Sequence, residues 1–200
     1  MIYDNNEITA ITYSGYNIVR AYSCDKKLVF GNPPPPPVIS YKVSLYMRNN
    51  VINVPCDEYD AVTSTDTHNM IDIGDVTSVI VRECVSEIGR DAFSSGTSIT
   101  AVTIPDNITT INTSAFYECI SLTSLNMPSS VNYVGMWAFR NCSSLTNITF
   151  NSIEPPNFST RIFVGCTSLQ HIYVPQESLN AYKNVANLSE YSNLIEAIPT

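Results

Sequence analysis

Phe93, Phe116, Phe139 and Phe163 recur at intervals of 23, 23 and 24 residues. Ala92, Ala115 and Ala138 stand before the first three, and Ile162 before the fourth. Three residues after each Phe comes Gly96, Cys119, Cys142 or Cys166. Further apolar columns follow: Ile99, Leu122, Leu145 and Leu169; then Val102, Leu125, Ile148 and Ile172; then Ile104, Met127, Phe150 and Val174. Pro105, Pro128 and Pro175 close three of these segments, and an earlier unit fits in part through Val76, Val79, Val81, Val85 and Ile88. A unit this short cannot bury its own apolar face. It must stack on its neighbours and share one continuous core with them.

Within a unit, apolar residues at relative positions 1, 4 and 6 predict a short strand whose fourth and sixth side chains point inward. The pairs Val85/Ile88, Ile108/Ile111 and Val131/Val134 predict a second extended segment. The Ala-Phe step then turns the chain inward, with Ala allowing close backbone approach and Phe filling the interior. The cysteine column reads as a ladder of small buried side chains. Its rungs point the same way, which favours thiols over disulfides.

These columns resemble the BspA-like, or Treponema-type, leucine-rich repeats of bacterial surface proteins, common in gut and oral bacteria. The stretches "SITAVTIPDNITTINTSAFYEC" and "SLTSLNMPSSVNYVGMWAFRNC" carry the resemblance, which covers Val76 to Pro175. It implies a mainly β fold with little helix: a right-handed leucine-rich-repeat solenoid of about four to five 23-residue repeats. Asn112 stands where the pattern has Gly, and "NSIEPPNFSTRIF" carries one extra residue, which predicts a local bulge rather than a break.

The period leaves the ends to other material. Residues 1–31 alternate β-formers with turn signals at Ser14-Gly15 and Asp25-Lys26-Lys27, predicting three short strands that dock, pair or attach elsewhere. Residues 32–37 hold Pro33 to Pro37, a stiff spacer of about 15 Å. Residues 38–75 read as an N-terminal cap with a hairpin turning at Asn49-Asn50. The acidic stretch Asp57, Glu58, Asp60 and Asp66 lacks a calcium-loop spacing and reads as a solvated loop. Residues 76–175 are the repeats, and 176–200 a C-terminal helical cap. There Leu179, Tyr182, Val185 and Ala186 recur at helical spacing, and Tyr191, Leu194, Ile195 and Ile198 form a second apolar set.

Chemistry is sparse. Charged residues make up 14% of the chain and the net charge is −8, which argues against nucleic acid or an anionic membrane as partner. No apolar run is long enough to span a bilayer, and Met1-Ile2-Tyr3-Asp4 does not open a signal peptide. The compartment stays unknown; the resemblance implies the cell surface or secretion. The cysteines at 24, 56, 84, 119, 142 and 166 form no Cys-x-x-Cys pair, and neither His68 nor His171 stands at metal-ligand spacing from one. Free buried thiols and no metal are expected. Two lysines follow Cys24 in "YSCDKK" and could lower its pKa, but a strand cysteine is the simpler reading. No nucleophile, metal or phosphate motif is present, so no catalytic residue, cofactor or enzyme activity is expected.

What remains is surface. The outward residues of the 1-4-6 strand form two rows: Ser78, Ala101, Ser124, Asn147 and His171, and Ile80, Thr103, Asn126, Thr149 and Tyr173. Such a face could dock a protein, or a glycan with Tyr173 as a stacking platform; equally, it could be no more than soluble strand surface. Two functions follow: a non-enzymatic bacterial repeat protein that binds a protein or glycan on a host or neighbouring cell, or a component of a phage tail or surface appendage. In the second, residues 1–31 attach and could make a homo-oligomer.

Overall fold

The computed structural model describes residues 11–13, 16–18, 41–47, 50–55, 61–62 and 72–199. The chain divides into two compact units, Met1–Ile39 and Ser40–Thr200. In the first, β1 (Ile11–Tyr13) and β2 (Tyr16–Ile18) pair antiparallel with Tyr13 opposite Tyr16. Ser14-Gly15 between them is a two-residue hairpin signal, since glycine takes the positive φ such turns need. The third expected strand and the proline run lie outside the described residues.

The second unit opens with an antiparallel hairpin of β3 (Tyr41–Met47) and β4 (Asn50–Pro55). Met47 pairs with Asn50, so Asn50 belongs to β4 and not to the turn expected at Asn49-Asn50. β5 (Ala61–Val62) follows, and then the repeats contribute two strands each. The first set is β6 (Ser78–Val81), β8 (Ala101–Thr103), β10 (Ser124–Met127), β12 (Asn147–Phe150) and β14 (His171–Val174). The second set is β7 (Glu87–Ile88), β9 (Thr110–Ile111), β11 (Tyr133–Val134) and β13 (Asn157–Phe158). Neighbouring strands of each set pair parallel, one period apart, except that β8 and β10 do not pair and leave the first set in two sheets. The second ladder also takes in β5, so it reaches back into the segment read as an N-terminal cap. At the start of the first ladder β3 pairs antiparallel with β6, and Leu45 opposite Val79 is buried in the core.

Between the ladders, the Ala-Phe turn makes a third set of hydrogen bonds that run from unit to unit. The amides of Phe93, Phe116 and Phe139 donate to the carbonyls of Ala115, Ala138 and Ile162 at 2.8, 2.8 and 3.1 Å. Each turn is made by two left-handed residues, one before the Ala column and one two places after the Phe. The first column reads Asp91, Ser114, Trp137 and Arg161, with φ of 55° to 59°; the second reads Ser95, Glu118, Asn141 and Gly165, at 59° to 82°. Seven of these residues carry side chains, and left-handed backbone costs such residues about 1 kcal/mol each. The cost is offset because five of them donate their amide to the next unit: Asp91 to Thr113, Ser114 to Met136, Ser95 to Tyr117, Glu118 to Arg140 and Asn141 to Val164.

The interior follows the same period. Phe93, Phe116, Phe139 and Phe163 stack with ring centroids 5.4, 5.6 and 5.6 Å apart, all at most 1% exposed. The cysteine column is a hydrogen-bond ladder as well as a filler. The thiols of Cys119, Cys142 and Cys166 donate to the carbonyls of Phe93, Phe116 and Phe139 at 3.2, 3.1 and 2.9 Å. These cysteines are free, as the ladder predicts. Cys84 corrects the wider expectation of free buried thiols. It is disulfide-bonded, to a residue outside the described ones, and it stands on an exposed turn after β6 where no core slot encloses a thiol.

The abundant Ser, Thr and Asn also bond from unit to unit. Thr100, Ser121 and Thr146 donate their hydroxyls to the carbonyls of Thr77, Thr97 and Thr123, each one period back. Asn107 reaches the carbonyls of Glu83 and Val85, and Asn151 that of Met127. At Gly135 an added Cβ would lie 2.5 Å from the Thr113 amide nitrogen, so the position excludes side chains. Asn112, in the same column, instead hydrogen-bonds Glu87 and the amide of Thr113.

The extra residue of the fourth unit sits in the bends between β12 and β13. Tyr133 pairs with Asn157, a step of 24, and the ladder continues. The bend leaves Ile153 60% exposed and buries Ser152. Ser152 receives Tyr182: the phenol donates to the Ser152 carbonyl at 2.9 Å and lies 2.7 Å from its hydroxyl. Tyr182 fills the end of the core beside Phe150 and Phe158. The expected helix is only α1 (Leu179–Lys183), because Val185 turns extended and Ala186 is exposed. Ile195, from the second apolar set, begins β15 (Ile195–Ala197), which pairs parallel with β14, whereas Ile198 is 36% exposed.

Two outcomes test this architecture. Phe116→Ala should lower the unfolding free energy by about 3–5 kcal/mol in urea titration, since both ring neighbours lose a contact; a loss below about 1 kcal/mol would contradict a shared interior. Burial also pushes the Cys119 thiol up from 9.0 to about 12, and Cys142 is driven up by its thiol contact with Cys166 and then by burial. The native state therefore keeps a proton that the unfolded chain releases. Stability should be full below about pH 9 and fall as pH rises towards 12. Cys119→Ala should make that alkaline decline shallower, which urea midpoints between about pH 8 and 11 would show.

Candidate functional site

The first ladder gives the predicted rows their geometry. Side chains alternate across a strand, so the residues between the buried ones share one face. β6, β12 and β14 show that alternation as half-buried then buried residues, and β10 as exposed then buried. Ser124, Asn147 and His171 stand in register, as do Asn126, Thr149 and Tyr173. Parallel neighbours lie about 4.8 Å apart, so each row is a continuous line of side chains.

The ten predicted residues do not form one sheet. Ser78 pairs with Ala101 and Ile80 with Thr103, in the sheet ordered β4-β3-β6-β8. The other six belong to a separate sheet ordered β10-β12-β14-β15. The first group is no less open, with Ala101 and Thr103 exposed and Ser78 and Ile80 half-buried. Ser44 lies opposite Ile80 on the same face, yet it is fully buried and takes a hydrogen bond from Arg82 at 3.1 Å.

The second sheet ends in an aromatic and charged corner. His171 and Tyr173 stack with ring centroids 5.3 Å apart and 7° between planes. β15 sets Glu196 opposite Tyr173, and its Oε2 lies 3.3 Å from His171 Nδ1. Both side chains remain accessible, 39% for His171 and 50% for Glu196. Sequence reasoning missed Glu196 because it lies outside the period; the only signal was the alternation of Ile195 with its neighbours. Further along the face, Asn147 Oδ1 accepts from Thr146, and Asn126 Oδ1 accepts from Asn151, both at 2.9 Å.

The face is flat. Two clefts, of about 300 and 380 Å³, lie by Arg161 and Glu190 and by Glu83 and Asp106, and none of the predicted residues lines either. Among the described residues no three His, Cys, Asp or Glu side chains gather as metal ligands, and no helix is long and apolar enough to cross a membrane.

Short parallel strands one period apart, a phenylalanine interior and a thiol ladder define a leucine-rich-repeat type of protein. The sequence model of the BspA type leucine rich repeat region matches residues 72–193 in six copies, and the chain belongs to that family. The 23-residue period by itself marks out four to five units. A search of curated proteins returned no significant match. Among solved structures, a leucine-rich repeat protein from Bacteroides ovatus is similar at 24% identity and a TM-score of 0.48, over 63% of this chain and 31% of that one. The pneumococcal vaccine antigen PcpA is similar at 18% identity and a TM-score of 0.44, over 62% and 36%. The leucine-rich repeat protein of T. pallidum is similar at 22% identity and a TM-score of 0.41, over 69% and 70%. The chain thus spans about a third of the first two relatives.

Proposed function

We propose that this chain is a non-enzymatic binding module of the bacterial surface. It recognises a protein or glycan on a host or neighbouring cell through the outward face of β10, β12 and β14. Family membership supports a binding scaffold, and with it a right-handed solenoid closed by caps at residues 38–75 and 176–200. The observation that carries the reading is the register of Ser124, Asn147 and His171 beside Asn126, Thr149 and Tyr173, an accessible flat surface with no charged residue in either row. Ser78, Ile80, Ala101 and Thr103 belong to the neighbouring sheet and serve at most as a margin.

Labelled chain binding to epithelial and bacterial cells, read by flow cytometry, tests this. The double variant Asn126→Arg/Thr149→Arg should weaken binding by at least about tenfold, because two unpaired cations must be desolvated on contact. Equal binding by the variant, or no binding by the parent chain, overturns the reading. A second reading, attachment of a tail or appendage through residues 1–31, is favoured by one observation: Met1–Ile39 forms a compact unit of its own. It requires an oligomer in light scattering that dissociates when residues 1–37 are removed.

A further inference from the structure

We infer that the corner where β14 meets β15 is a subsite for a neutral saccharide; this rests on the binding-face reading above. The argument begins with what the corner offers. Tyr173 carries a half-buried ring stacked on His171, and no other ring touches it among the described residues. A ring fixed in this way gives the C–H face of a pyranose a platform, with little side-chain entropy left to lose. Glu196 stands beside it in the next strand. One carboxylate oxygen faces His171 Nδ1, which leaves the other to accept hydroxyl groups.

The adjoining strand completes the set. Thr149 is in register with Tyr173, and Asn147 with His171. Thr146 donates to the Oδ1 of Asn147, and among the described residues the Nδ2 of that amide has no hydrogen-bond partner. A ring, a carboxylate acceptor, a hydroxyl and an amide donor within two strand spacings match a ligand that is itself rich in hydroxyls. The carboxylate disfavours sialylated or uronate sugars by like charge. A protein partner is less well matched, because the interior of a protein interface is apolar. Of the exposed large apolar residues, Ile120, Ile153 and Val164 lie away from the strands that build this corner, and Ile198 alone borders it, its amide donating to the Val174 carbonyl at the end of β14.

The test is an array of neutral and acidic oligosaccharides probed with the full chain and with Tyr173→Ala, Tyr173→Phe, Glu196→Gln and Glu83→Gln, each checked for an unchanged urea midpoint. Binding to neutral glycans is expected, weakened at least about tenfold by Tyr173→Ala and by Glu196→Gln. Tyr173→Phe keeps the ring and should retain binding, and Glu83→Gln, on the exposed turn after β6, should be silent. Binding only to acidic glycans, no array signal at all, loss in Tyr173→Phe equal to that in Tyr173→Ala, or indifference to Glu196→Gln overturns the inference. Cell binding that is lost in Asn126→Arg/Thr149→Arg while the array stays blank removes the saccharide and leaves the binding face. Cell binding unaffected by that variant removes both.

Discussion

No unit of this chain can satisfy its own backbone or bury its own aromatic ring, and every other feature depends on that. Each repeat presents its phenylalanine to the next ring at 5.4 to 5.6 Å and its turn amide to the next carbonyl. Fully burying one such side chain contributes about 2–3 kcal/mol, but only once a neighbour is in place. The left-handed turn residues obey the same logic. Trp137, Glu118 and Arg161 do not favour positive φ, and the ladder on either side holds the turn in that conformation. Stability is therefore a property of the junctions between units rather than of the units.

That constraint also explains the composition. A low charge content would ordinarily suggest a poorly solvated surface, yet a recurring subset of the Ser, Thr and Asn satisfies carbonyls one period back. Hydroxyls and amides suit this task because each can reach a backbone carbonyl without burying a charge. The outward rows of β10, β12 and β14 carry part of the polar material that remains accessible. Function then falls to a flat sheet, and its most chemically varied corner lies where the period ends and β15 supplies Glu196.

The apolar columns were legible in the sequence because burial enforces them. Ala115, Phe116, Cys119, Leu122 and Leu125 each sit where the period puts them, at most 3% exposed. The second strand set was readable from Ile108 with Ile111 and Val131 with Val134 for the same reason. The turn conformations were not, since Asp91, Trp137 and Arg161 share no side-chain property, only a backbone state imposed by neighbours. The separation of β8 from β10 was hidden too, because Ala101 and Thr103 fit the pattern of their column. At the C-terminal end, Leu179, Tyr182 and Val185 promised a longer helix. Tyr182 instead answers to Ser152, a partner 30 residues away that local periodicity cannot reveal. Of the binding face, the rows were readable and the corner was not.

Native-state hydrogen exchange tests the dependence on neighbours most directly. The amides of Phe93, Phe116 and Phe139 lie in turns, outside any strand, yet each donates to the following unit. They should exchange as slowly as the strand amides of β10 and β12, and open together with them as denaturant rises. If these turn amides exchange freely, as those of ordinary surface turns do, while the strands stay protected, the units hold themselves together and the account is wrong.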